Sequence, residues 1–377
     1  MPQRKIPAVF IRGGASKGVF FHERDLPKDQ KARDAIFLEV LGSPDPYGRQ
    51  LNGMGGGLSS LSKIVIVKKS ERNDADVDYT FGQVSVDQPV VAYDTACGSL
   101  STAVGAFAID EGLITAADGE ARVRVYMTNV DKHYHARFAV KDGKTVEKGD
   151  FTVPGVGGGG AKVSLDYMEP GGAITGSLLP SGRVRDTVEV AGIGKIEVSM
   201  VDASNALSFV RAEDLGCTGS ELPDELEAKP ELLSRLDSIR RQCGVLMRLA
   251  NRPEDVSLAN PKVVMVSRPA DFTATDGTRY AAADHDIATR VVSMGRINRT
   301  SPLTGAMCTG VATRIEGSIP HELATRGSPI RVANPAGLFP IEADVRRNAD
   351  GTYRAPSVTV FSTQRRLMEG YVLVNGD

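Results

Sequence analysis

Hydrophobic and polar residues alternate with a period of two through a long series of short segments: IPAVFIRG, KIVIVKK, VDYTFGQVSV, ARVRVYMT, HARFAV, KVSLDY, KIEVSMVD, KVVMVS, IRVANP, VTVFST and YVLV. Each predicts a strand that turns one face to a core, and so many short strands predict large antiparallel or mixed sheets. Helical spacing is rarer. It occurs at residues 30–41, 97–112 and 229–250, with one more helix expected after Asp284 and another after Thr304. Within 229–250, Leu232, Leu236, Ile239, Cys243 and Leu246 recur at intervals of three and four opposite Arg235, Arg240 and Arg241, the stripe of a helix lying on a surface. Together the elements predict an α+β protein.

Glycine, proline and serine interrupt the pattern at PGVGGGG (154–160) and EPGGAITGSLLPSG (169–182), which read as turns around a domain boundary near residue 183. The halves 1–183 and 184–365 then look like variations on one plan. Each opens with a strand leading into a polar loop, IPAVFIRGGASKG and KIEVSMVDASNALSFV, and each holds a glycine-bearing helix start, CGSLSTAVGAFA (97–108) and TGAMCTGVATRI (304–315). Overlaid, the helix starts match at Gly98 and Gly305, Thr102 and Thr309, Val104 and Val311. Two like domains are expected, each a sheet around one helix, facing each other across a cleft.

Composition narrows the chemistry. The 377 residues carry a net charge of −2, without the basic excess of a nucleic-acid binder. No run approaches the ~18 apolar residues of a membrane helix, and MPQRKIPAVFIRGG lacks the apolar region of a signal peptide, so a soluble, cytoplasmic protein is expected. Cys97, Cys217, Cys243 and Cys308 lie far apart with no C-x-x-C spacing and are expected as free thiols. His133 and His135 share a strand face but supply at most two ligands, so no metal site is expected. Glycine is the anomaly: 40 residues, about a tenth of the chain against a usual ~7%.

Part of that excess sits beside candidate chemistry. Cys97, in D-T-A-C-G-S before an apolar helical run, falls at a helix N-terminus, where exposed N–H groups and the helix dipole favour a thiolate. Lys63 ends G-M-G-G-G-L-S-S-L-S-K and begins a strand, and a desolvated lysine amine can serve as a base. The loops R-G-G-A-S-K-G (12–18) and 53–63 supply closely spaced N–H groups and hydroxyls suited to a small anion such as a carboxylate or phosphate. G-V-G-G-G-G (155–160) satisfies G-x-G-x-x-G, but the alternating AKVSLDY follows where a dinucleotide site needs a helix. Cys308 aligns with Ser101 in the overlay, and Thr304 aligns with Cys97.

R-G-G-A-S-K-G-V-F-F (12–21), G-S-P-D-P-Y-G (42–48), G-M-G-G-G-L-S-S-L-S-K (53–63), D-V-D-Y-T-F-G-Q-V (76–84) and A-C-G-S-L-S-T-A-V-G-A-F-A (96–108) resemble the PrpF family in order and spacing. The resemblance continues through LLPSGRVRDTVEV, MGRINR and PLTGA. It implies a diaminopimelate-epimerase-like fold: two similar domains, each a curled, mostly antiparallel sheet around a central helix, with the active site in the interdomain cleft. It further implies that the last strand, within 366–377, completes the first domain. The implied activity is a cofactor-independent isomerase that moves a proton across a three-carbon allylic unit of a small unsaturated di- or tricarboxylate, such as 2-methylaconitate, aconitate or 4-oxalomesaconate. Lys63 and Cys97 stand at the family's catalytic lysine and cysteine. The candidate substrate-binding set is Gly13, Gly14, Ser16, Lys17, Gly55, Gly56, Ser60, Gly98, Ser99, Asn205, Arg296, Thr304 and Gly305.

The chain departs from the family's usual R-G-G-T-S-K-G at Ala15 and from N-C-G-N at Ala96 and Ser99, and it has Asn334 where a histidine before proline is expected. Such changes suit altered specificity. No cofactor, metal, nucleic acid or membrane is expected as a partner, and a homodimer is one option for assembly. Two alternatives share the fold. A non-catalytic carboxylate-binding or accessory protein would drift at the positions of Ala15, Ala96 and Ser99. A cofactor-independent racemase or epimerase needs two opposed thiols, where this chain sets Thr304 against Cys97.

Overall fold

The computed structural model describes residues 3–93, 97–293, 295–325 and 327–375. In chain order the main elements begin β1 (Arg4–Gly13), β2 (Ser16–His22), α1 (Gln30–Leu41), β3 (Lys63–Lys69), β4 (Val77–Val84), α2 (Gly98–Asp110), β5 (Gly119–Met127), β6 (Lys132–Lys141) and β7 (Val163–Met168). They continue β8 (Asp186–Val190), β9 (Gly194–Asp202), β10 (Ala206–Arg211), α3 (Pro230–Leu246), β11 (Lys262–Ser267), β12 (Ile287–Ser293) and α4 (Leu303–Ala312). The last strands are β13 (Ile330–Asn334), β14 (Gly337–Arg347), β15 (Tyr353–Ser362) and β16 (Gln364–Val374). The chain forms two compact units, Met1–Asp166 with Phe361–Asp377, and Tyr167–Val360.

In the first unit β16, β1 and β2 pair antiparallel in succession, β2 and β3 parallel, β3 and β4 antiparallel, β4 and β5 parallel, and β5 and β6 antiparallel. The sheet is covered on both faces, which explains why K-G-V-F-F is apolar without a break. Successive side chains point to opposite faces: Phe20 meets Phe107 of α2 at 5.6 Å between ring centroids, and Phe21 meets Phe37 of α1 at 5.5 Å. Helix α2 is buried from Leu100 to Ile109, as befits a helix apolar all round that the sheet wraps.

The second unit repeats the order. β8, β9 and β10 pair antiparallel in succession, β10 and β11 parallel, β11 and β12 antiparallel, β12 and β13 parallel, and β13 and β14 antiparallel. α3 takes the place of α1 and α4 that of α2. The stripe Leu232, Leu236, Ile239 and Cys243 packs with Val188, Val198, Val263 and Met265, while α4 is buried from Gly305 to Ala312.

Two expectations are corrected. The segment after Asp284 is strand β12 rather than a helix, because Ile287, Thr289, Val291 and Val292 are β-branched and it is buried on both faces. Arg240 is not on a solvated helix face. It is buried, donating to Asp237 Oδ1 through Nε (2.8 Å) and to the Val256 carbonyl through Nη1 (3.2 Å). Gly159–Gly160 pairs with Phe151–Thr152 and leads into strand β7, so the G-x-G-x-x-G string has no helix after it. No helix among the described residues is long and apolar enough to cross a membrane.

Candidate active site

Residues Val77, Tyr79, Phe81 and Gln83 alternate along β4 toward α2, and Lys63, Val65 and Val67 do the same on β3, since Ile64, Ile66 and Val84 lie in the core on the α1 side. Lys63 pairs with Gln83 across the strands. It is 8% exposed; its Nζ lies 4.8 Å from the centre of the Phe81 ring and donates to Gln83 Oε1 at 2.6 Å. Among the described residues no carboxylate stands within ion-pair distance of this amine.

Two residues further along the same face, the Tyr79 hydroxyl donates to the Cys97 carbonyl at 3.3 Å. Cys97 is the N-cap of α2 and 9% exposed, and its side chain makes no capping bond. Its carbonyl also accepts from the Ser101 amide and hydroxyl, both at 3.0 Å. With no capping side chain and no acidic residue in its first turn, this buried helix presents its positive end to whatever lies at Gly98 and Ser99. Lys63 and the Cys97 backbone are thus each contacted by an aromatic residue on the same face of β4, Phe81 and Tyr79.

The glycine loops hold this end close. β1 and β2 turn through Gly14 and Ala15, with Gly13 opposite Ser16 and Gly14 at φ 50°, the left-handed value that glycine adopts freely at the first position of a two-residue hairpin turn. A Cβ on Gly13 would come within 2.6 Å of the Ser99 carbonyl oxygen, and one on Gly18 within 2.7 Å of the Lys63 carbonyl oxygen. These glycines let strand backbones touch α2 and β3. Arg12 braces the turn, donating to the carbonyls of Gly14 and Thr363 and to the Thr363 hydroxyl, each at 3.0 Å.

The expected service of the loop glycines as free N–H donors does not hold at two positions. The Gly14 amide is bonded to the Thr363 carbonyl at 3.0 Å and the Gly55 amide to the Leu41 carbonyl at 3.2 Å. Gly56 is exposed, Ser60 lies in the short turn Ser59–Leu61, and Ser16 is buried beside the hairpin. Lys17 Nζ sits 5.4 Å from the Phe10 ring centre. Gln50, which no motif suggested, organises the 53–57 loop. Its buried Nε2 donates to Ser43 Oγ (2.8 Å) and Ser62 Oγ (2.7 Å) while Oε1 accepts from the Gly57 amide (3.0 Å). Gln83 was also missed, although a polar residue at the inward beat of an apolar strand was the signal. Ala96 lies outside the described residues.

In the second unit, the loop between β9 and β10 carries Asn205, whose Nδ2 donates to Thr304 Oγ1 of α4 at 3.3 Å. Its Oδ1 is buried with no partner among the described residues. Gly305 is in the first turn of α4, one residue on. Arg296 stands apart, exposed on the short hairpin after β12, with no hydrogen bond or ion pair to Asn205 or Thr304. Asn334 is buried and accepts from the Ser301 amide at 3.2 Å, anchoring the approach to α4. Cys308 is fully buried against the Val201 carbonyl (3.3 Å), and burial pushes its thiol up. His133 and His135 face Asp74 and Arg122, and among the described residues no cluster of His, Cys, Asp and Glu could hold a metal ion.

A duplicated sheet-and-helix unit, with a lysine at the head of a strand and a thiol at the start of a buried helix, defines a class of α+β protein. A hydroxyproline epimerase from Agrobacterium vitis shares the architecture at a TM-score of 0.52 and 13% identity, over 99% of this chain and 94% of its own, so the fold is diaminopimelate-epimerase-like. The chain belongs to the PrpF family, whose model, described as PrpF protein, matches residues 3–375. A methylitaconate-delta-isomerase structure matches at a TM-score of 0.91 and 38% identity, covering 99% of this chain and 96% of that one. The 2-methyl-aconitate isomerase of Cupriavidus necator is 39% identical over 392 aligned positions, 100% of this chain and 99% of its own.

Proposed function

We propose that this protein is an isomerase that moves a double bond in a small unsaturated di- or tricarboxylate by a 1,3-proton shift, with Lys63 as base and Cys97 as acid. The observation that carries the proposal is the Lys63 amine, held by a neutral acceptor on the face of β4 that also touches Cys97 at the uncapped start of α2. The names of the relatives, isomerases of methylaconitate and methylitaconate, support the substrate class.

In the proposed step the Lys63 lone pair takes the proton from the carbon allylic to the double bond. The C–H electron pair becomes the new double bond, and the former one delocalises onto the carboxylate as a dienolate. The thiol proton then passes to the other terminus, leaving an ammonium and a thiolate that exchange their proton difference before the next turnover. Base and acid differ in kind, so each holds its role without a cofactor. Negative charge developing on the carboxylate is met by the N–H groups at the start of α2. A well-placed donor of this sort is worth about 2.7–4 kcal/mol in the transition state. Rotation about the bond that is single in the dienolate allows cis-trans change.

The test is a parallel screen of aconitate, 2-methylaconitate, methylitaconate, 4-oxalomesaconate and proline by NMR in deuterium oxide. Turnover with deuterium appearing at the carbon that gains a proton is expected for at least one unsaturated acid. Deuterium at the proline α-carbon would replace the proposal with an epimerase, and inertness toward all five would leave a binding protein.

A further inference from the structure

Gln83 does more than fill a strand position. Both N–H bonds of its amide are used, Nε2 donating to the carbonyls of Ser59 (3.0 Å) and Ser62 (2.9 Å). An amide has two donors on nitrogen and an acceptor on oxygen, so these backbone carbonyls fix which end faces Lys63: Oε1 accepts from Nζ at 2.6 Å. Phe81 supplies the floor at 4.8 Å. One N–H of the amine is directed into Gln83 and the ring closes another side, so the remaining directions on nitrogen are left for substrate.

We propose that Gln83 is the positioning residue of the Lys63 amine, a backbone-anchored neutral acceptor that aims the amine without giving it a counter-charge. The inference rests on Lys63 being the base of the proposed proton shift. A carboxylate here would hold Lys63 as an ammonium, which cannot accept a proton. It would also face two carbonyl oxygens without an N–H to offer them. Among the described residues, the other titratable and charged groups on the elements around Lys63 are engaged elsewhere or lie apart, His22 of β2 facing Glu111 and Asp110 of α2 accepting from the Thr145 amide. Lys17 of β2 sits on Phe10, Lys68 at the far end of β3 pairs with Glu23 and Asp78, and Lys69 follows it there. Arg12 of β1 is spent on the Gly14–Thr363 turn, and α2 brings the Cys97 thiol.

The experiment compares wild type, Gln83→Met, Gln83→Glu and Lys63→Ala by kcat and KM across pH for the unsaturated acid that the NMR screen finds turned over, with thermal unfolding of each. Gln83→Met is expected to lower kcat 10- to 100-fold with KM within threefold. Gln83→Glu is expected to lose at least tenfold near neutral pH and to regain most of it in alkali, its acid limb moved up by about one pH unit or more, as for an amine given an anionic neighbour. A role confined to bracing the 59–62 turn would instead lower activity equally at every pH. That result, or Gln83→Met retaining kcat within twofold of wild type, overturns the inference, and the Gln83→Met result decides if Gln83→Glu does not fold. Near-wild-type turnover in Lys63→Ala would overturn the base assignment itself, a distinct failure.

Discussion

The two units follow one order of strand pairing, yet their corresponding ends are equipped differently. β3 begins at Lys63 and β11 begins at Lys262, and both lysines lie on the face turned to the buried helix, since Val263 and Met265 belong to the core on the α3 side. At the helix starts the likeness ends. α2 has a thiol as its cap, whereas α4 is capped by Pro302 and carries Thr304, bonded to Asn205, inside its first turn. One turn further in, Ser101 returns its hydroxyl to the Cys97 carbonyl, while Cys308 is sealed against Val201. The duplicated frame supplies, twice, a lysine at the head of a strand on the face turned to the buried helix. The first copy adds the second titrating group and the acceptor Gln83, where the second has Ser293 opposite Lys262 by continuation of the β11–β12 register.

The largest break in this comparison comes from paired substitutions. Lys63→Ala and Cys97→Ser are each expected to lower kcat/KM by about 10²–10⁴, the range for general acid–base groups. Lys262→Ala and Cys308→Ser should remain within tenfold of wild type. Steady-state kinetics on the substrate found by the NMR screen decide it, and equal losses from the two lysines would show the units to be chemically equivalent.

A smaller contrast lies in two glycines. Gly13→Ala drives a Cβ to 2.6 Å from the Ser99 carbonyl oxygen and is expected to cost about 1–3 kcal/mol through overpacking. Gly305→Ala meets nothing nearer than Ser301 Oγ at 3.6 Å and should gain up to about 1 kcal/mol from helix propensity. Denaturant midpoints measure both. A stabilised Gly305→Ala with impaired turnover would mark Gly305 as lying against substrate.

The smallest effect concerns Lys262, whose ionisation burial pushes below the usual lysine range. Its folded form is depressed relative to the unfolded chain, so the unfolded state binds more protons between those two values. Stability therefore rises with pH through that alkaline window, and the penalty is fully present below it. Lys262→Met should raise the melting temperature slightly at neutral pH and flatten the alkaline slope. A fall instead would show that the ammonium stabilises the fold.

Local pattern carried the elements well, because strand alternation and the α1, α2, α3 and α4 periodicities are written within a dozen residues. β12 was misread where several β-branched residues stood without clear alternation. Pairing order was less accessible: which strands run parallel depends on partners far apart in sequence. The places of Lys63 at a strand head and Cys97 at a helix start were legible because loop, strand and helix signals meet at each. Gln83 was hidden inside a strand read for its apolar residues, and Gln50 in a loop gave no signal of any kind. The glycine loops were read as donors of N–H groups, but Gly13 and Gly18 serve first as clearance for backbone oxygens, a constraint visible once the strand and helix lie together.

The pairing of β1 with β16 has a temporal consequence. Arg12 and Thr363, bonded to each other, are 351 residues apart, so during synthesis every strand of the second unit exists before β1 has its second neighbour. Until then one edge of β1 is bare, and bare edges invite pairing with the wrong chain. The turn at Gly14, whose amide waits for the Thr363 carbonyl, is among the last parts to be secured. The end of the molecule that holds Lys63 and Cys97 is therefore completed late, and its assembly reports that translation has reached β16.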